Sequence, residues 1–333
     1  MPGSPPLVLA EVWRGDVLES VIRGHAVAVG AEGSVEAWCG DPEVVTTLRS
    51  SVKPLQAQGF LRTGACDALG AGDDELALAC ASHQGEEIHV ATARRLLART
   101  GRDESALACG PQWPGSAEAA RALAAAGRQP GPIHNNCSGK HAAMVAACVV
   151  GGFAVEGYSH PEHPLQRCIA GVMSEHLGVD LGGAPWGIDG CGLPTYGVPL
   201  RALARGFRLA ALHDPGFRRC QAAMAAHPHL VAGMGRFDTA VLAALGDRLT
   251  CKVGGAAVWV AVGRDPGAPA VALKLEAGSG DAGPPVALAL LQAAGLIEGE
   301  LPPALATFAA GRMHNWSGAQ VGATRVHLAL TRA

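Results

Sequence analysis

An α/β fold of the α+β kind, with an antiparallel sheet built from both ends of the chain and a large helical region between, is predicted by three observations on the 333-residue sequence. Strand-like alternation runs from Leu7 to about Cys39, helical spacing follows Asp41-Pro42-Glu43, and strand-like runs return at Ala256 to Val262, Ala270 to Leu275 and Gly322 to Leu330. At the N-terminal end, Val27-Ala28-Val29 and Val35-Glu36-Ala37-Trp38 flank the turn-forming Ala31-Glu32-Gly33 and read as a meander. Helices are predicted near residues 51–63, 87–99, 116–126, 140–150, 163–177, 198–211, 216–226, 238–246 and 284–295. The Pro/Gly-rich pieces at Gly110 to Gly115 and Gly263 to Pro269 are short loops, and no internal repeat is found. Residues 1–333 are therefore read as one catalytic unit, with a sheet subdomain of about 1–50 and 250–333 and a mostly helical subdomain of about 51–249. The junction of the two is the place to expect a pocket.

Composition narrows the function classes. Hydrophobic residues make up 49% of the chain and charged residues 17%, as in an alanine-rich globular protein with a sizeable core. No apolar run reaches the length of a membrane span, so no membrane role is expected. A net charge of -3 and the lack of an arginine-rich block argue against nucleic acid and leave a small-molecule substrate. The start Met1-Pro2-Gly3-Ser4-Pro5-Pro6 has no signal-peptide pattern, and a cytoplasmic protein is expected. In that compartment the 10 irregularly spaced cysteines read as free thiols.

Only four lysines occur, Lys53, Lys140, Lys252 and Lys274, and arginine supplies the remaining positive charge. A coding bias explains the scarcity but not the positions. Lysine can be pushed neutral and so act as a base or ligand, which arginine cannot. Lys53 closes Ser50-Ser51-Val52-Lys53, and Pro54 requires a helix to begin close to Ser50. Ser50 and Lys53 would then share one face, with the serine at the positive end of the helix dipole, an arrangement that suits a nucleophile and its base. The same residues also fit a capping serine followed by a surface lysine. Ala81-Ser82-His83-Gln84-Gly85-Glu86 lies between two predicted helices, where Ser82 is either a second reactive hydroxyl or an N-cap. His134-Asn135-Asn136-Cys137-Ser138-Gly139-Lys140-His141 and Asp189-Gly190-Cys191-Gly192-Leu193-Pro194 together offer two thiols and a nitrogen that could hold zinc with a fourth position open, although the spacing matches no Cys-x-x-Cys finger. His160-Pro161-Glu162-His163 is ligand-like but equally a solvated turn. Lys252 is left structural or undecided.

Together, Arg49-Ser50-Ser51-Val52-Lys53-Pro54, Ala81 to Glu86, Asn136 to His141, Asp189 to Pro194 and Gly235-Arg236-Phe237-Asp238-Thr239 resemble the Rhizobium etli-type (class 3) L-asparaginase family over essentially the whole chain. The resemblance implies a fold related to serine β-lactamases and penicillin-binding proteins, a homodimer, and hydrolysis of L-asparagine to aspartate and ammonia. It implies two serine–lysine pairs, Ser50 with Lys53 and Ser82 with Lys274, with Ser50 as nucleophile and Lys53 as general base. It also implies Zn2+ held by Cys137, Lys140 and Cys191, with Asp189, Arg49 and His141 on the substrate side. The chain departs from the family's pattern twice. Gly254-Gly255-Ala256-Ala257 replaces Gly-Ala-Glu-Gly, and Glu276-Ala277 replaces an acidic pair, so each loses a carboxylate near the second pair. Lys-Thr-Gly and Ser-Asp-Asn elements of penicillin-recognising enzymes are absent. Another serine amidase and a catalytically silent zinc-binding homologue are the alternatives.

Overall fold

The computed structural model describes residues 3–276 and 283–333, so Ala277 lies outside the described residues. The N-terminal meander supplies β1 (Leu7–Arg14), β2 (Val17–Val29) and β3 (Val35–Cys39). The middle of the chain contributes three short strands, β4 (Val45–Thr47), β5 (Trp186–Ile188) and β6 (Pro194–Pro199). The C-terminal part adds β7 (Leu249–Gly254), β8 (Val258–Gly263), β9 (Ala270–Leu275), β10 (Met313–His314), β11 (Gln320–Val326) and β12 (Thr331–Arg332). Nine of these form one sheet with the main order β10-β11-β1-β2-β9-β8-β7, and β3 joins β2 to β12. All its pairings are antiparallel, and β1 with β11, β2 with β9 and β3 with β12 stitch the two ends of the chain together.

The long β2 pairs with β1 through Val17 to Gly24 and with β9 through Gly24 to Val29. Its burial changes at the same place, from exposed residues at the start to a fully buried run, Ala26 to Val29, at the end. β8 is buried at every position, which is why Val258 to Gly263 reads as a continuous apolar run rather than an alternation. The helix Leu200–His213 packs across β2, β8 and β9. From it the fully buried Arg208 reaches the carbonyls of Gly263, Asp265, Pro266 and Ala268, at 2.8–3.3 Å, and holds the loop between β8 and β9. A guanidinium with five donors can satisfy several carbonyls that a loop otherwise leaves unpaired.

The helical spacing is realised as Glu87–Arg99, Ala117–Ala125, Ser138–Gly151, Pro164–Leu177, Leu200–His213, Pro215–Ala226, Phe237–Leu245 and Gly283–Ala293. The stretch predicted as one helix near 51–63 is instead a 3-10 turn, Arg49–Val52, followed by two short helices, Lys53–Gln56 and Gln58–Arg62. The small sheet β4-β6-β5 was hidden in the region read as mostly helix, because its strands are only 3 to 6 residues long and carry no sustained alternation. His163 proves to be a helix cap, its Nδ1 accepting from Leu165 N at 3.2 Å, so this loop is a structural turn. The 10 cysteines are free thiols, and among the described residues no helix is long and apolar enough to cross a membrane.

Candidate active site

The segment carrying Ser50 leaves β4 pinned to β6. Leu48 N donates to Tyr196 O at 3.0 Å and Arg49 N to Thr195 Oγ1 at 3.1 Å. Arg49 has φ +48°, a left-handed conformation that costs an L residue about 1–2 kcal/mol, and the chain then enters the 3-10 turn. Strain of this kind concentrates where a side chain has to be aimed. Ser51 is structural, since its hydroxyl donates to Leu48 O at 2.6 Å. Pro54 sits in the first turn of Lys53–Gln56, as its missing N-H requires.

Lys53 is fully buried, and its amine donates to Ala81 O at 2.5 Å and to Ser82 Oγ at 2.9 Å. Burial pushes its pKa down to about 8; Cys137 opposes the shift, while Lys140 and Lys252 add to it. Local spacing brings Ser50 and Lys53 within one turn, but the lysine crosses to Ser82, and among the described residues no hydrogen bond involves the Ser50 hydroxyl. An amine at full burial needs acceptors, and the end of Asp73–Ala79 provides two side by side.

Ser82 is fixed through its backbone, its N-H donating to Val231 O at 2.9 Å. It is no helix cap, because Glu86 occupies that position for Glu87–Arg99. His83 accepts Gly85 N at Nδ1, at 3.1 Å, so its Nε2-H donates to Ser138 Oγ, at 3.0 Å. This bond joins the Ser82 loop to the helix Ser138–Gly151. Burial, with His89 and Lys53 adding to it, holds His83 well below the ordinary histidine value. Lys274 stands on β9, opposite Val258 on one side and His25 on the other. Its amine donates to Ala256 O at 2.5 Å, and no hydrogen bond to Ser82 is present among the described residues. Burial lowers its pKa, and Glu276 works against the shift.

Cys137 caps Ser138–Gly151, held by Asn135 Oδ1, which accepts its N-H at 2.9 Å. Gly139 allows this helix to approach Asp73–Ala79, since a Cβ there would stand 2.4 Å from Leu78 Cγ and 2.5 Å from Leu78 O. Cys191 is carried by the turn in which Gly192 N donates to Asp189 O at 2.8 Å. Lys140 donates to Cys191 Sγ at 3.4 Å, and all three side chains are buried. A hydrogen bond from Cys191, aided by Lys53 and Lys140, brings the Cys137 thiol well below its ordinary value against the penalty of burial, and the same bond, with burial, raises Cys191. Burial disfavours the Lys140 ammonium, but Cys137, Cys191 and Asp189 outweigh it and raise the pKa. Two thiols in one buried cluster match the soft-donor preference of zinc, and the Lys140 amine could join them only by giving up its proton. Among the described residues no group of three His, Cys, Asp or Glu is placed to hold a metal.

Arg49 Nε donates to Asp189 Oδ1 at 2.8 Å, and both line a cavity of about 450 Å³ beside the small sheet. The guanidinium lies on Gly255: a Cβ at that position would be 2.9 Å from Arg49 Cζ. One of the chain's departures from the family's pattern is thus in contact with the arginine. His141 is fully buried with Nε2 unpartnered, while Tyr158 Oη, which accepts from Ala108 N, donates to its Nδ1 at 2.6 Å. Lys252, also fully buried, lies 3.6 Å from Asp238, which accepts from Val253 N and Trp259 Nε1. Sequence reading passed over Tyr158, Thr195 and Asp238 as partners; the one signal available was that Tyr158 is one of only two tyrosines.

A family model described as L-asparaginase II matches residues 10–326 of the chain. No curated protein matches it.

Proposed function

The chain belongs to the L-asparaginase II family, which implies a hydrolase acting on amides, and from that premise we propose that it converts L-asparagine to L-aspartate and ammonia. The observation that carries this reading is Lys53, buried, brought to a pKa of about 8 and in contact with a serine hydroxyl. Neutral Lys53 takes a proton through Ser82, and Ser50 Oγ attacks the side-chain amide carbon. The proton returns to the departing nitrogen, the C–N bond breaks, and water releases aspartate from the acyl-serine. Strained Arg49, immediately before Ser50, supports Ser50 as the nucleophile. The Lys53–Ser82 contact favours a second reading in which Ser82 itself attacks.

Arg49 uses only Nε on Asp189, which leaves its terminal amino groups for the substrate α-carboxylate, while Asp189 faces the α-ammonium. His141 stands on the substrate side with its free Nε2. Cys137, Lys140 and Cys191 would hold zinc, which when bound supplies positive charge for orienting the substrate. The serine β-lactamase-like fold and the homodimer belong to the same proposal; Ser-x-x-Lys at a helix start beside an antiparallel sheet supports the former.

Ammonia release from L-asparagine, with L-glutamine and a β-lactam alongside, tests the reaction. Abolished release in Ser50→Ala, with slower but measurable release in Ser82→Ala, supports Ser50 as nucleophile; an acyl group recovered on the Ser82 peptide moves the assignment to Ser82. Absence of ammonia from folded, zinc-loaded wild type rejects the substrate.

A further inference from the structure

Release of ammonia needs no apolar room, yet Ser82 stands in the wall of an apolar cavity of about 350 Å³ that also has Phe237, Trp259 and Phe308 in its wall. In a chain with only 4% aromatic residues, three rings gather here, Phe237 lying 5.8 Å from Trp259 and 5.4 Å from Phe308. Besides Ser82 and the exposed Arg236, the polar side chain of the wall is Asp238, and it is turned to its neighbours. Asp238 accepts Trp259 Nε1 at 3.1 Å and Val253 N at 2.8 Å, with Lys252 behind it, so the tryptophan N-H is occupied and its ring is left for the cavity. This cavity shares no lining residue with the one that holds Arg49 and Asp189. The cavity that holds the Arg49–Asp189 ion pair is therefore reached through Arg49, the residue before Ser50, and the apolar cavity through Ser82.

We infer that the apolar cavity is a leaving-group subsite and that the enzyme also cleaves β-aspartyl amides of apolar amines. The inference rests on the proposed asparagine chemistry, with the aspartyl half held at Arg49 and Asp189 and the amine substituent placed against the aromatic wall. The atoms balance as in the parent reaction. Serine oxygen bonds to the β-carbonyl carbon, the C–N bond breaks, the amine leaves with the serine proton, and water then adds to free aspartate, so that amide plus water gives aspartate plus the amine.

The test is hydrolysis of N4-benzyl-L-asparagine beside L-asparagine, reading aspartate, with wild type and Phe308→Asp. The expected result is cleavage of both by wild type and a ratio of kcat/KM, benzyl over parent, that falls at least about tenfold in the variant, the scale set by burying an aromatic ring. A second measurement needs no variant: n-alkylamines from propyl to hexyl should inhibit wild type with a constant that drops about three- to fourfold per CH2. Cleavage of asparagine without the benzyl amide, a flat alkylamine series, or an unmoved ratio in Phe308→Asp overturns the subsite. Cleavage of the benzyl amide alone rejects asparagine as the substrate and leaves the subsite standing, whereas cleavage of neither rejects both.

Discussion

Lys53 and Lys274 stand in opposite kinds of structure. Lys53 rises from a short helix at full burial and finds a carbonyl and a hydroxyl at 2.5 and 2.9 Å. Lys274 stands partly exposed on β9 and leans on the carbonyl of Ala256, in a hairpin whose Ala256 and Ala257 are both left-handed, at φ +56° and +55°. Lys252 sharpens the contrast, being as buried as Lys53 but set against the carboxylate of Asp238. Burial alone does not make a base. Burial lowers the pKa of both lysines, but at Lys252 the Asp238 carboxylate works against the shift, whereas the hydrogen-bond acceptors of Lys53 are uncharged.

If that contrast governs activity, Lys53→Met lowers kcat by about 10³-fold or more, the weight of a general base, while Lys274→Met costs about 10- to 100-fold. Equal losses in folded variants, measured by ammonia release, would break the comparison. The pH profile is the next largest effect. Lys53 must be neutral to act, so kcat/KM should rise with pH and level off above about 8, falling up to tenfold per unit below that value. Lys274→Met should leave this limb where it is.

Gly139→Ala probes the packed side, because the added Cβ meets Leu78 backbone as well as side chain. A loss of about 1–3 kcal/mol in denaturant unfolding is expected, with activity falling as Cys137 and Lys140 shift. On the open side, Ala256→Glu restores a carboxylate beside Lys274. It should raise the lysine's proton affinity and change kcat by a few-fold at most, readable in parallel pH–rate profiles. The smallest effect is Ala257→Gly, which relieves the left-handed conformation and should stabilise the fold by up to about 1 kcal/mol, seen as a higher Tm.

Helix existence was readable wherever a long segment kept its period, as at Pro164–Leu177 and Leu200–His213, where a proline or Asp214-Pro215 marks an end. The same reasoning failed at residues 51–63, where a 3-10 turn and a break after Gln56 carry no periodic signature. It failed again at β5 and β6, which place Asp189 and Thr195, because strands of 3 and 6 residues in a helical stretch look like loop. At the site, residue types and order were readable and partners were not. Spacing paired Ser50 with Lys53, yet Ser82, the hydroxyl that accepts from the lysine, lies 29 residues away.

By itself, then, the sequence determined which residues are chemically unusual: four lysines in an arginine-rich chain, two cysteines in glycine-bearing turns, and a proline that fixes where one helix starts. Spacing and local propensity act over one or two turns of chain, and that is the range over which such readings hold. Only the tertiary structure decided that Lys53 faces Ser82, that Lys140 meets Cys191, that Arg49 rests on Gly255, and that Trp259 closes an apolar cavity beside a serine. Those meetings depend on how helices and hairpins pack at close range. Packing is set by volume and burial summed over the whole chain rather than by any one segment.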